Sequence, residues 1–254
     1  CADMNDPPVD PSDSNPPSYW GYRTDDVTLL KLASGMSGDT VGPGNFQLIE
    51  LGDSGANVLR QNLAGRAEAC VDIDGSVTTK PGNNAGPTAQ GLNTRFGEYQ
   101  GGGINSSDYP PDKFTTESSP GLTVNNDDEI TLSDGTPFTD FASQVTYSYA
   151  DYMSDAKNPA NASRPGKFRR RVMALPIVDC RTMVNGHGTL PVVDIGCFFL
   201  LQRVVQKGNM NYVFGEYIGS CAADGSPGNV PAPPGAAPSG YKIVLHNDPD
   251  NDAS

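Results

Sequence analysis

Four groups of residues in this chain have types and spacings that bear on chemistry: a serine in a glycine turn, alternating carboxylates, a basic triplet and five cysteines. Ser54 lies in Gly52-Asp53-Ser54-Gly55, where the glycines permit a tight turn that would expose its hydroxyl. A nucleophilic serine needs a histidine base within hydrogen-bond reach and a carboxylate to orient that base. The two histidines, His187 and His246, both follow Ser54 and stand in no such context. The sequence therefore favours a strand-to-helix turn with Ser54 as N-cap over a serine hydrolase, and a non-enzymatic protein overall. Asp248, Asp250 and Asp252 alternate near the C-terminus, a spacing that can put carboxylate oxygens on one hard cation such as Ca²⁺. They make a calcium-dependent surface adhesin the alternative reading. The glycine and the closing glutamate of an EF-hand loop are missing, which favours a solvated acidic tail. The run 125–129 (NNDDE) and the pair Asp72 and Asp74 give weaker versions of the same pattern. Asp10, Ser12 and Ser14 fit a D-x-S-x-S metal pattern, but the preceding MNDPPV is no buried strand.

Arg169, Arg170 and Arg171 form a basic run too short for a nucleic-acid footprint, and pairing with carboxylates is expected. The cysteines are Cys1, Cys70, Cys180, Cys197 and Cys221. None forms a CxxC pair and the histidines have no metal-like spacing, so zinc is disfavoured. Disulfides in an oxidising compartment are expected instead, drawn from Cys70, Cys180, Cys197 and Cys221. Cys180 and Cys197 lie on adjacent apolar runs and are candidates to bridge a hairpin, although spacing leaves the pairing open. Asn105 and Asn161 satisfy N-x-S/T.

Charge sets limits on partners. With 30 acidic against 17 basic residues the net charge is -13, which repels nucleic-acid phosphates and anionic membrane surfaces alike. No run of 18 apolar residues occurs, so no membrane span is expected within this chain. Beginning at Cys1, the chain reads as an exported product whose targeting segment has been removed, with a lipid-modified cysteine as the alternative.

These groups must be positioned by a chain with 29 glycines and 22 prolines, hence many turns and long connections. The pattern predicts one α+β, β-rich domain over residues 21–254, preceded by an extended, proline-rich arm at 1–20 anchored by Tyr19 and Trp20. Strands are expected at 26–33, 46–51, 77–79, 168–179, 190–206, 211–220 and 241–246, the last four as an antiparallel meander. Two short helices are expected at 54–66 and 88–99. Residues 100–145 read as a long surface excursion, and the stretch around 225–240 as a polyproline-like connection.

The blocks GPGNFQLIELG, GANVLRQNLAG, Cys70 and VTTKPGNNAGPTAQGLNTRF follow one another in order. They resemble the Tad (Flp-type) pilus-assembly TadG-like proteins of bacteria. RRVMALPIVDC, VVDIGCFFLL and VFGEYIGSC are similar to that family's C-terminal strands, so the likeness covers most of residues 42–100 and 168–221. It implies an exported envelope or surface protein acting through contacts with its own copies or with pilus proteins, and no catalytic residues. Family members carry a membrane helix upstream of this region. Within the block, Gly44, Gly82 and Gly91 are expected to allow positive φ or close backbone approach, and Asn45, Asn83 and Asn93 to satisfy turn amides. The arm and the exposed edges of the C-terminal strands are the expected contact surfaces, by strand addition into a filament.

Overall fold

The structure is a computed structural model, and it describes residues 20–31, 45–50, 52, 55–66, 71–125, 129–181, 186–204, 206–207, 210–221 and 242–243. In chain order the strands are β1 (Val27–Lys31), β2 (Asn45–Ile49), β3 (Val71–Asp72), β4 (Ser76–Pro81), β5 (Leu122–Val124), β6 (Ile130–Leu132), β7 (Val172–Val178), β8 (Thr189–Leu200), β9 (Gln206–Lys207), β10 (Met210–Asn211), β11 (Val213–Ser220) and β12 (Lys242–Ile243). The helices are α1 (Ala56–Gln61), α2 (Ala85–Asn93), α3 (Phe141–Gln144) and α4 (Tyr149–Ala156). The β-rich α+β class read from the sequence holds.

β8 is the spine of a six-stranded antiparallel sheet in the order β1-β11-β8-β4-β2, with β7 on the other flank of β8. Its start pairs with β4 (Val77 opposite Leu190) and its end with β11 (Gly215 opposite Leu200). The uninterrupted apolar run at its end follows from this position, because a strand covered on both faces has no solvent side to alternate with. Phe199 and Leu201 pack with Phe114, Leu122, Leu132, Val145 and Tyr152. Leu200 faces Ala89, Leu92 and Phe96 on and just after α2.

Those first partners correct one expectation. Residues 100–145 do not skirt the surface: Phe114, Leu122, Leu132, Phe141 and Val145 are all buried. Their apolar side chains are thinly spaced among Gly, Ser, Asp and Pro, so no window of sequence looks like a core element. The segment carries a short hairpin (β5–β6) and leads into two further helices, giving four α-helices among the described residues rather than two. A sequence signal for α4 exists in Ser148-Tyr149-Ala150-Asp151. Ser148 and Asp151 cap each other's backbone reciprocally, as a capping box does.

β7, β8 and β11 form the expected meander, but β12 pairs with β3 instead of continuing it. β11 is also flanked by β1, so the edges of β8 and β11 are not free for strand addition. Trp20 anchors the start of the described chain through Nε1 to Asp194 Oδ2 at 2.9 Å. Tyr19 and the rest of the arm lie outside the described residues, as does the connection at 225–240.

The register also decides a disulfide. Cys197 lies opposite Ala174 on β7 and opposite Gly219 on β11. That places it six residues from Cys180 along the hairpin but next to Cys221, and Cys197 bonds to Cys221 across a Cα–Cα distance of 4.9 Å. The expected candidate Cys180–Cys197 pair is therefore replaced, and Cys180 is itself disulfide-bonded. Cys1 and Cys70 lie outside the described residues. Disulfides persist in oxidising compartments, which points away from a reducing cytosol. The Cys197–Cys221 bridge spans 24 residues. Replacing both cysteines by serine is expected to cost about 3 kcal/mol in denaturant unfolding.

Candidate functional site

Two features concentrate polar side chains near the end of β8: a cluster of buried arginines inside the fold and an open cleft of about 980 Å³ beside it. The arginine cluster contains two members of the triplet predicted to pair with carboxylates. Arg171 is wholly buried, because it immediately precedes β7 and its side chain runs under the end of β8. Its guanidinium donates to the carbonyls of Leu200 (3.0 Å), Leu201 (2.8 Å), Phe114 (3.2 Å) and Thr116 (2.7 Å). The rings of Phe199 and Phe96 flank it at 4.3 and 4.7 Å, a desolvated cation–π arrangement. Arg170 reaches Pro110 O at 2.9 Å and Ala64 O at 2.5 Å. Arg95, just after α2, donates to Leu63 O at 2.9 Å and to Arg170 O. Burial pushes Arg95 down to about 9, with Arg170 acting in the same direction, and Arg171 down to about 10.

Asp112 is the carboxylate of this cluster, and it reaches backbone rather than guanidinium groups. It accepts from Phe114 N, Arg171 N and the Tyr152 hydroxyl. Burial raises its pKa against the pull of those hydrogen bonds. The sequence-based expectation of carboxylate pairing thus fails for Arg170 and Arg171. Their donors go to main-chain carbonyls, which can hold a planar fork of N–H groups without burying a compensating charge for each. Arg169 contributes its backbone N–H to Tyr152 Oη.

The cleft is floored by residues 202–204, where the chain leaves β8. Each of the three is held by at least two hydrogen bonds. Gln202 pairs its side-chain amide with both backbone groups of Leu122. Arg203 meets Glu117 through its backbone N–H at 2.5 Å and its Nε at 2.6 Å, and meets Glu98 through Nη1 at 2.5 Å. Val204 is bound through N and O by the Asn93 side chain at 2.8 and 3.0 Å. The expectation that Asn93 serves a turn amide gives way here. It mimics a strand partner for a residue 111 positions away. The cleft is lined by hydroxyls such as those of Ser118 and Ser133 and by the carboxylates of Glu98 and Glu117, so it can hold hydrogen-bonding groups.

The other predicted residues scatter. Ser54 lies outside the described residues, and Gly55, at φ 121°, holds the N-cap position of α1 that the sequence assigns to Ser54. His187 is exposed, 3.4 Å from Glu50. Asp248, Asp250, Asp252, His246, Gly44 and residues 10–14 lie outside the described residues. Asn45 opens β2. Among the described residues no group of three His, Cys, Asp or Glu side chains could hold a metal. Asp74 sits in a left-handed turn (φ 66°) between β3 and β4 with its N–H on Val192 O, a structural role. Asn125 and Glu129 close the β5–β6 hairpin on each other. Asn105 caps Ser107 and Asp108, and Asn161 bonds Asp155. Gly82 adopts φ 84° as expected. Gly91 serves close approach: a Cβ there would lie 2.5 Å from Arg60 O and 2.7 Å from Leu63 Cβ, so it lets α1 and α2 touch. Asn83 accepts from Lys31 Nζ at 2.9 Å.

No family model, curated protein or solved structure matches the chain. No helix among the described residues is long and apolar enough to cross a membrane.

Sequence reading missed Glu216, whose neighbours in VFGEYIGS give no sign of a buried acid. It lies on β11, nearly inaccessible, and accepts the N–H of Tyr149 at the start of α4 at 2.7 Å. Burial pushes its pKa up to about 7, with the carboxylates of Asp25 and Asp151 adding to the effect. A group raised in the folded state contributes fully below its ordinary value of 4.5, and that contribution is lost as pH rises through about 7. Glu216→Gln keeps the acceptor and removes the charge. We expect the variant to be more stable than the parent by about 2 kcal/mol at alkaline pH and no more stable at acid pH, measured by thermal melting across the range.

Proposed function

We propose that this chain is a non-enzymatic structural or assembly component of a bacterial cell-surface apparatus of the Tad pilus type, acting outside the cytoplasm through protein–protein contacts. The observation that carries this reading is the way the two stretches of family likeness combine. β4 and α2, from residues 42–100, pack directly on β7, β8 and β11, from residues 168–221, as one sheet with one helical cover. The likeness thus follows a single folded unit rather than two unrelated patches. The fate of the buried charges supports the reading too. The guanidinium groups of Arg170 and Arg171 bind the protein's own carbonyls, an arrangement that fixes shape. The Cys197–Cys221 bridge suits an extracytoplasmic setting.

The test is genetic and biochemical together. A strain lacking the chain should lose or alter its Tad pili, and in-cell cross-linking should join the chain to pilus proteins or to its own copies. Normal pili in the deletion strain, with no such cross-links, would overturn the reading. The filament version has its own check in electron microscopy of the purified chain. A strict monomer that behaves identically without residues 1–19 would end it.

A further inference from the structure

The geometry points to Lys31 and Asn83 as the two ends of an intramolecular isopeptide cross-link that ties β1 to the turn after β4. Lys31 is the last residue of β1 and is 1 % exposed, an unusual place for an ammonium group. Its Nζ lies 2.9 Å from Oδ1 of Asn83. The same amide has its Nδ2 shut away from solvent, with no hydrogen-bond partner among the described residues. An amide held by its oxygen against an amine, with its nitrogen unengaged, presents an electrophilic carbon, a nucleophile in reach and an unrestrained leaving group. Neither residue belongs to the cleft or to the arginine cluster, and their chemistry is independent of the pilus reading.

The chemistry balances without a second reactant. Lys31 sheds its ammonium proton, and burial favours that step by pushing its pKa down to about 8. Nζ then bonds to Cγ of Asn83, the Cγ–Nδ2 bond breaks, and Nδ2 leaves as ammonia with the hydrogen that Nζ gives up. The shed proton converts that ammonia to ammonium in solvent. The fold gains because an orphaned buried donor, the Nδ2 of Asn83, disappears. What remains is a secondary amide with one donor and one acceptor.

The experiment reads the mass of the purified full chain after its disulfides are reduced. The expected result is a mass one ammonia below that of the sequence. Proteolysis should release a branched peptide joining the Lys31 segment to the Asn83 segment. The linked fraction should rise faster as pH increases through the lysine's titration. Lys31→Arg keeps the charge and the donor but offers no amine, and should restore the full mass. Linear peptides through both residues, after long incubation of folded protein at about pH 9, would overturn the assignment. So would an ammonia loss that persists in Lys31→Arg, since a succinimide at Asn83 would account for it. The branched peptide is sought in the parent protein, so the result stands even if the arginine variant folds poorly.

Discussion

Arg171→Met is expected to destabilise the folded chain by about 4 kcal/mol or more, a larger loss than removal of the Cys197–Cys221 bridge should cause. In urea this should appear as a lowered midpoint with an unchanged slope, or as failure to accumulate folded protein. The methionine would fill most of the volume between Phe96 and Phe199. It would leave four carbonyls without their donors, those of Phe114, Leu200 and Leu201 in the interior and that of Thr116 nearer the surface. Arg171→Lys should recover only a fraction, because an ammonium cannot span acceptors that lie on two separate segments. Recovery to parental stability with lysine would show that the charge matters and the fork does not.

Asp112→Asn should cost about 3 kcal/mol, although it is nearly isosteric. Three donors converge on the two carboxylate oxygens: Phe114 N at 2.9 Å, Arg171 N at 3.0 Å and Tyr152 Oη at 2.9 Å. An asparagine must turn an NH₂ toward at least one of them, so the site accepts only a group with no hydrogen to give. Its cost should not add to that of Arg171→Met, because both changes release the same segment, residues 112–116, from the sheet. Full additivity in a double-mutant cycle would mean that the two act on separate parts of the fold.

Much of the sheet is legible in the sequence, for a physical reason. β7, β8 and β11 are long enough for β-branched and aromatic residues to dominate a window, and turn residues punctuate them. α2 announces itself through Leu92 and Phe96 on one face. Residues 100–156 are opaque because their core contacts come singly, on loops or on strands and helices too short to show a period. Only the Ser148–Asp151 capping pattern offers a local signal there. The polar cluster is less legible still. Nothing in RRR distinguishes Arg171, buried against aromatic rings, from Arg169, whose guanidinium lies 5.8 Å from the Phe168 ring. The difference arises when a strand start and the end of β8 come together, and the sequence holds those segments 29 residues apart. The disulfide shows the same limit: apolar runs make Cys180 and Cys197 look like neighbours, and only register moves the partner to Cys221.

The pairing of β1 with β11 bears on how such a chain is made. Val27 lies opposite Glu216, so a strand near the start of the described chain must wait for one near its end. A polypeptide threaded N-terminus first through a secretion pore cannot complete this sheet while its last strands are still behind the pore. Until then the early segments have no edge to join, and folding closes late, over long sequence separations, on the slow side of what domains of this size achieve. For a chain handled in that way, such a layout would keep it extensible during passage and delay its final shape until its last strands emerge.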